Sequence, residues 1–331
     1  MEKLFTNKSI LVTGGAGFIG SHLVDRLVQT KAKVTVIDNL ITGHRENLKA
    51  AEKSGLVNFI QADISLPETI SALGTAHYDL IFHLASPASP RGYMDNPIET
   101  YTVNSFGTHY LTRYALSTGA RFLFASTSEV YGDPLEHPQR EEYWGNVNPI
   151  GIRACYDVSK RFGEMVLTTT ARRFDFDFRL VRIFNTYGPR MDPKDGRVIP
   201  NLVLQAISNQ PLTVHGDGTQ TRSFCYVSDL VEYLLRTMVS LETRGIPINI
   251  GHPEEYTMLA LAKKVIDLTD STSEITFTDR PEDDPNRRQP DISRAKKLLG
   301  YEPQITLDIG LKKTIDFFKT IAPTMSKIRY K

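Results

Sequence analysis

An α/β fold, a doubly wound parallel sheet with a smaller C-terminal substrate lobe, is predicted by three features of this sequence. Short β-rich runs alternate with longer amphipathic stretches through the first half of the chain. A glycine cluster, Gly14-Gly15-Ala16-Gly17-Phe18-Ile19-Gly20, joins the first apolar run to the first amphipathic one. An acidic residue, Asp38, closes the second apolar run.

The elements follow in order. Ile10-Leu11-Val12 predicts the first strand, residues 19–27 the helix after it, Val34-Thr35-Val36-Ile37 the second strand and Val57-Asn58-Phe59-Ile60 the third. Leu80-Ile81-Phe82, a helix over 96–117, a strand over 121–125, a helix over 156–174 and a strand over 178–181 continue the alternation, which parallel strands with crossover helices produce. After Gly188 the chain turns to loops rich in Gly, Pro and Asp, with short strands and helices near 198–208, 228–239, 259–268 and 294–299. Residues 1–188 are therefore assigned to a Rossmann domain and 189–331 mainly to the substrate lobe. Segments 231–235 and 246–250 are candidates to return to the larger domain. No internal repeat, low-complexity tract or linker interrupts this organisation.

Bulk properties exclude several classes. The 331 residues, 40% of them hydrophobic, are enough for a large buried core, which argues against disorder. Lys and Arg number 39 against 38 Asp and Glu, and a net charge of +1 offers no general attraction to nucleic acid or to anionic membranes. Cys155 and Cys225 are the only cysteines, too few for a disulfide framework, and no His/Cys/Asp cluster has metal-ligand spacing, so no metal is expected. The first apolar run, residues 9–13, is too short for a signal-peptide core or a membrane span. A soluble, cytoplasmic protein in a reducing setting is the expectation.

The glycines at 14, 17 and 20 follow a strand and open a helix, the context that gives such a cluster meaning. Backbone N–H groups there can approach a pyrophosphate, and the helix N-terminus adds partial positive charge. A carboxylate at Asp38 can accept hydrogen bonds from a ribose diol and would repel a 2′-phosphate, which favours NAD over NADP. The expected cofactor site comprises Gly14, Gly17, Phe18, Ile19, Gly20, Asp38, Asn39, Asp63, Ile64, Leu84, Tyr156 and Lys160. Asp63 either faces the adenine or caps a helix.

Tyr156 and Lys160 are one helical turn apart and project from the same face. A lysine ammonium beside a phenol favours the phenolate and makes a usable base. Their position after Ser126-Thr127-Ser128-Glu129-Val130-Tyr131-Gly132 lifts the pair above a chance surface pair. Together with the glycine cluster, these residues resemble the extended short-chain dehydrogenase/reductases acting on nucleotide sugars, the NAD-dependent epimerase/dehydratase family, across nearly the whole chain. The stretches at 83–90, 127–134, 143–151, 182–190, 216–224 and 287–292 are similar to the UDP-glucuronate decarboxylase branch, which makes UDP-xylose.

The resemblance implies that Thr127 bonds the sugar 4-hydroxyl, Tyr156 removes its proton, and Lys160 holds the nicotinamide ribose and the phenol. The C4 hydride passes to NAD and returns after carbon dioxide leaves the C4 ketone, so NAD is regenerated. It further implies Arg288 paired bidentately with the sugar carboxylate, Glu129 at the sugar ring or in proton handling, Asn185 and Arg222 at the diphosphate, and Ser86 at the substrate, while Arg91 is a further substrate candidate as an added cation for a carboxylate. The resemblance also implies a homodimer through helices 96–117 and 156–174. Plainer uses stand beside these: Thr127 and Ser128 could end a strand, Glu129 could be a solvated acid, and Arg288 could belong to a charged surface run over 280–288. His83 and Trp144 read as packing residues.

Two positions depart from the decarboxylase pattern and are expected near the sugar pocket. Val158-Ser159 stands where Glu-Gly is usual, and Arg91 where proline is usual. They leave open dehydration of a UDP- or dTDP-hexose, including UDP-N-acetylglucosamine. A 4-epimerase or a non-catalytic dinucleotide sensor on the same fold fits less well.

Overall fold

The computed structural model describes residues 1–280 and 287–325. Residues 281–286 of the charged run, and 326–331 of the C-terminal lobe, lie outside the described residues. Seven strands form one parallel sheet: β1 (Ser9–Thr13), β2 (Lys33–Asp38), β3 (Val57–Gln61), β4 (Leu80–His83), β5 (Arg121–Thr127), β6 (Phe178–Ile183) and β7 (Pro247–Ile250). Their spatial order is β7-β6-β5-β4-β1-β2-β3, with the winding reversing between β1 and β4. In such sheets ligands bind in the crevice at the carboxyl ends of the strands, at that reversal.

The sheet is covered on both faces, which explains why its strands read as continuous apolar runs. Ile10, Val12, Val34, Val36, Phe82, Leu123 and Val181 pack into one core. Their neighbours Leu11, Ile37, Ile81, Phe122, Phe124 and Leu180 pack into a second. Each strand thus feeds two cores by simple alternation.

Helix α1 (Phe18–Gln29) buries Leu23, Val24 and Leu27 on the first face. On the second face a long helical stretch runs from Pro97 to Thr118, with a π-helical turn at Val103–Gly107. It packs against α2 (Ala154–Arg173). Both segments singled out as returning do so: Ile248 and Ile250 lie in β7, paired parallel with β6, and residues 231–235 lie in the helix Val227–Val239, packed on α1.

Among the described residues, the lobe contains the helices Val198–Ile207, Met258–Thr269, Ser293–Leu299 and Leu307–Met325 and short strand pairs. The last helix was not anticipated, although Leu307, Leu311, Ile315 and Phe318 are buried at helical spacing. One pairing matters for the site: Arg287–Arg288 runs parallel to Thr221–Ser223, with Arg288 beside Arg222. No helix among the described residues is long and apolar enough to cross a membrane.

Candidate active site

The β1–α1 turn is built for close approach. Gly14 has φ +73°, and a Cβ there would sit 2.6 Å from the backbone nitrogen of Ala85. A Cβ on Gly20 would lie 2.1 Å from the carbonyl oxygen of Gly14, so the helix can begin here only without a side chain. Asp38 accepts hydrogen bonds from the Ala16 N–H at 3.0 Å and the Leu40 N–H at 2.9 Å, which fixes the turn against the end of β2. Burial raises the Asp38 pKa, and these two backbone donors oppose the rise.

Asn39 donates to Asp63 at 3.2 Å, and Asp63 also accepts from the Ser65 N–H at 2.8 Å. Asp63 therefore ties the ends of β2 and β3 together while facing the same cavity as Asn39 and Ile64. That cavity, about 630 Å³, runs from the glycine turn to Arg288. Every residue named above for cofactor, substrate or chemistry contributes to its wall, including Phe18, Ile19, Leu84, Ser86 and Asn185. The glycine cradle, the helix N-terminus and the Asp38 carboxylate fit a dinucleotide.

At the end of β5 the backbone delivers Thr127 and Glu129 to this wall, and the Thr127 hydroxyl accepts from the Glu129 N–H at 3.2 Å. Tyr156 and Lys160 face them from α2. The Lys160 ammonium donates to the Ala125 carbonyl at 2.8 Å. Burial pulls its pKa down to about 7, against the raising influence of Glu164. Burial also pushes the Tyr156 phenol up to about 12, with the Thr127 hydroxyl opposing. Desolvation is thus the leading influence on both groups, favouring the neutral phenol and the neutral amine.

The guanidinium of Arg288 is not open to solvent. Both its NH groups donate to Glu129, one of them at 2.9 Å to Oε2. Arg153 donates to the same Oε2 at 2.5 Å. Burial would raise the Glu129 pKa, but Arg288 and then Arg153 overwhelm it and hold the carboxyl at about 2. Arg288 is therefore paired within the chain, and the two guanidiniums favour the ionised form of Glu129.

Arg153 and Tyr93 were missed in the sequence. Tyr93 stacks on Tyr156 with centroids 5.2 Å apart and planes 8° apart, and the Arg153 guanidinium lies 5.8 Å from the Tyr93 ring centre. Arg153 sits one turn before Tyr156, a spacing that could have drawn attention to it. Glu164, one turn beyond Lys160, accepts from Ser126 at 2.6 Å and from Arg182 at 2.7 Å.

Other readings are revised. Val158 is partly exposed on the outer side of α2, and Ser159 is buried against Asn104, 3.1 Å away. Neither lines the cavity, so this departure lies away from the sugar pocket. Arg91 does line it, mostly exposed, 3.4 Å from Asp95 and from the Lys194 carbonyl. His83 is buried between Thr13 and Thr108, at 2.7 and 3.1 Å, and burial takes its pKa down to about 3. It is a neutral packing residue. Trp144 is not: its side chain is 88% exposed.

With the geometry in place, residues 10–251 match the NAD dependent epimerase/dehydratase family. The chain belongs to that family. UDP-glucuronic acid decarboxylase 6 of Arabidopsis thaliana is 50% identical over 307 residues, covering 92% of this chain and 87% of that one. UDP-glucuronic acid decarboxylase 1 of Xenopus tropicalis is 48% identical over 312 residues, 94% of this chain and 72% of that one. Among solved structures, an epimerase from Methanothermobacter thermautotrophicus superposes with TM-score 0.91 at 30% identity, covering 99% and 96% of the two chains. UDP-glucuronic acid 4-epimerase from Bacillus cereus, in complex with UDP-glucuronic acid and NAD, gives TM-score 0.85 at 28% identity, covering 95% and 99%. As in other members of this family, the cofactor is NAD.

Proposed function

We propose that this protein decarboxylates UDP-glucuronate to UDP-xylose through a C4 ketone. The observation that carries the reading is a single cavity wall in which Thr127, Tyr156 and Lys160 adjoin a buried two-arginine carboxylate site. The named decarboxylases, alike over more than nine-tenths of this chain, support it.

Gly14, Gly17, Gly20 and Asp38 would hold NAD, which when bound accepts a hydride from C4 and later returns it. Thr127 orients the 4-hydroxyl, and Tyr156 takes its proton. The free phenol is held protonated, so the base form requires added positive charge in the cavity, and a protonated Lys160 is placed to provide part of it. Once C4 is a ketone, the C6 carboxylate lies β to it. The C5–C6 bond breaks, carbon dioxide leaves, and the electron pair becomes an enolate. C5 then gains a proton from solvent water, and Tyr156 would give its proton back to O4 as C4 is reduced again. Asn185 and Arg222 supply an amide and a guanidinium for the diphosphate.

We further propose a homodimer. Ile98 and Tyr101, with Val158, Phe162 and Met165 on α2, leave an exposed apolar stripe along two adjacent helices. The free thiols of Cys155 and Cys225 agree with a reducing, cytoplasmic setting.

The test is incubation of the purified holoenzyme with UDP-glucuronate, UDP-N-acetylglucosamine and dTDP-glucose in parallel, followed by mass spectrometry. Loss of carbon dioxide from the first is expected. Loss of water from either of the others, with UDP-glucuronate untouched, would overturn the reading in favour of dehydration. Tyr156→Phe should keep NAD and lose about 10²-fold or more in turnover.

A further inference from the structure

The carboxylate site contains more cation than its single resident acid needs. Glu129 has two oxygens, and both are taken by Arg288, whose side chain is 5% exposed. Arg153, its side chain 14% exposed, adds a third bond at 2.5 Å. Arg153 also faces Tyr93 and, among acids, Asp157. The two guanidiniums are anchored from different parts of the chain. Arg288 is fixed by a strand that pairs with the strand carrying Arg222, whereas Arg153 immediately precedes α2.

This arrangement poses a problem for an anionic sugar. A carboxylate entering the cavity can use the Arg288 fork only by displacing Glu129 from it. Stripped of that partner and left unpaired in a buried site, Glu129 would incur a large desolvation penalty. A second guanidinium already bonded to Oε2 removes most of that penalty, because Glu129 keeps a charged partner throughout. The Glu129 backbone is anchored beside Thr127, whose hydroxyl accepts its N–H.

We propose that Arg153 is a positioning residue that retains Glu129 while Arg288 is handed to the C6 carboxylate of the substrate. In the complex, two carboxylates and two guanidiniums alternate, each acid with a partner of its own. Retention on Arg153 also keeps Glu129 beside Thr127, so the hydroxyl that orients O4 stays in place during the exchange. The Tyr93 ring, stacked on Tyr156 and 5.8 Å from the Arg153 guanidinium, gives that guanidinium a second attachment. The inference rests on a uronate being the substrate.

The experiment measures binding in the NAD-loaded Tyr156→Phe protein, where turnover is blocked. Titration calorimetry gives Kd for UDP-glucuronate and for UDP-glucose, which differ in the C6 carboxylate. Arg153→Gln should lower the preference for UDP-glucuronate by about tenfold or more, the size of a lost charge-assisted hydrogen bond, while UDP-glucose binding holds within about threefold. Arg153→Lys should recover part of the preference. Adding Glu129→Gln to Arg153→Gln should restore it, because no carboxylate then competes for Arg288. Equal weakening for both sugars, an unchanged preference, or no recovery in the double variant would overturn the proposal. Unchanged UDP-glucose binding and retained NAD report that the variants are folded. Carbon dioxide release by the wild type separates the two claims. Its absence counts against the activity, whereas release together with an unaltered preference in Arg153→Gln counts only against the handover.

Discussion

Glu129→Gln is the substitution whose consequences the structure fixes most closely, because one isosteric change removes one buried negative charge from between two arginines. The carboxyl is held at about 2 against an ordinary 4.5. That difference corresponds to about 3 kcal/mol of folding stability near neutral pH. With the Glu129 side chain 13% exposed and that of Arg288 5% exposed, solvent screening takes little of it away. Leaving both guanidiniums on a neutral amide should cost about 3–5 kcal/mol in all. A carboxyl titrating below its unfolded value contributes fully above pH 4.5, and the contribution disappears as pH falls through about 2. The gap between wild type and variant should therefore shrink by about 2 kcal/mol between pH 7 and pH 3. Urea unfolding followed by far-UV circular dichroism at both pH values gives the comparison. Fluorescence would serve poorly, because Trp144, the sole tryptophan, is already solvated. A gap below about 1 kcal/mol at pH 7, or one that does not change with pH, would refute the clamp.

Three further changes have definite outcomes. Lys160→Met should abolish turnover yet stabilise the free protein by a few kcal/mol below pH 7, because charging a lysine whose pKa is about 7 in the fold and 10.5 outside it opposes folding there; equal or lower stability at pH 6 would contradict this. Gly20→Ala places a methyl group 2.1 Å from the Gly14 carbonyl, so NAD should be lost on purification and activity should fall about 10²-fold, as measured by absorbance and turnover. Phe162→Glu, in the middle of the exposed stripe, should give a monomer by light scattering with the helical circular dichroism unchanged; a persistent dimer would move the interface elsewhere.

The sheet was legible because strands buried on both faces must be apolar throughout, and Ile10-Leu11-Val12 divides its side chains between two cores for that reason. The glycine turn was legible because its geometry tolerates no Cβ. Pairings across the fold were not. Glu129 and Arg288 are 159 residues apart, and nothing local to either announces the other. Arg288 and Glu129 each read as open to a substrate, because a sequence shows which groups are charged and not how those charges are already satisfied. Val158 and Ser159 misled in another way. Their position between Tyr156 and Lys160 suggested the pocket, but a helix turns about 100° per residue, which carries Val158 to the outer side, and Ser159 packs against Asn104, so neither lines the cavity. Trp144 read as a packing residue because a lone Trp in a loop more often packs than binds a ligand, and it is exposed.

The same helical spacing lines up the charges behind the reacting groups. Tyr156, Lys160 and Glu164 follow at intervals of four on α2, so one stripe carries a phenol, an amine and a carboxylate. Glu164 is committed to Ser126 and Arg182, and its field is the only one noted above that raises Lys160. Burial opposes the charged form of both the phenol and the amine. Burial thus favours a neutral Tyr156 and brings Lys160 down to about 7. Such a stripe cannot remove a proton from an arbitrary hydroxyl, because forming the phenolate alone is too costly in so dry a site. A ligand that bonds Thr127 and adds compensating charge shifts that balance where O4 lies. Ser126, held by Glu164, immediately precedes Thr127, so the group that supports Lys160 also fixes the strand end that presents the hydroxyl. One carboxylate that touches neither Tyr156 nor Thr127 thus favours the charged Lys160 and fixes the strand end that carries Thr127.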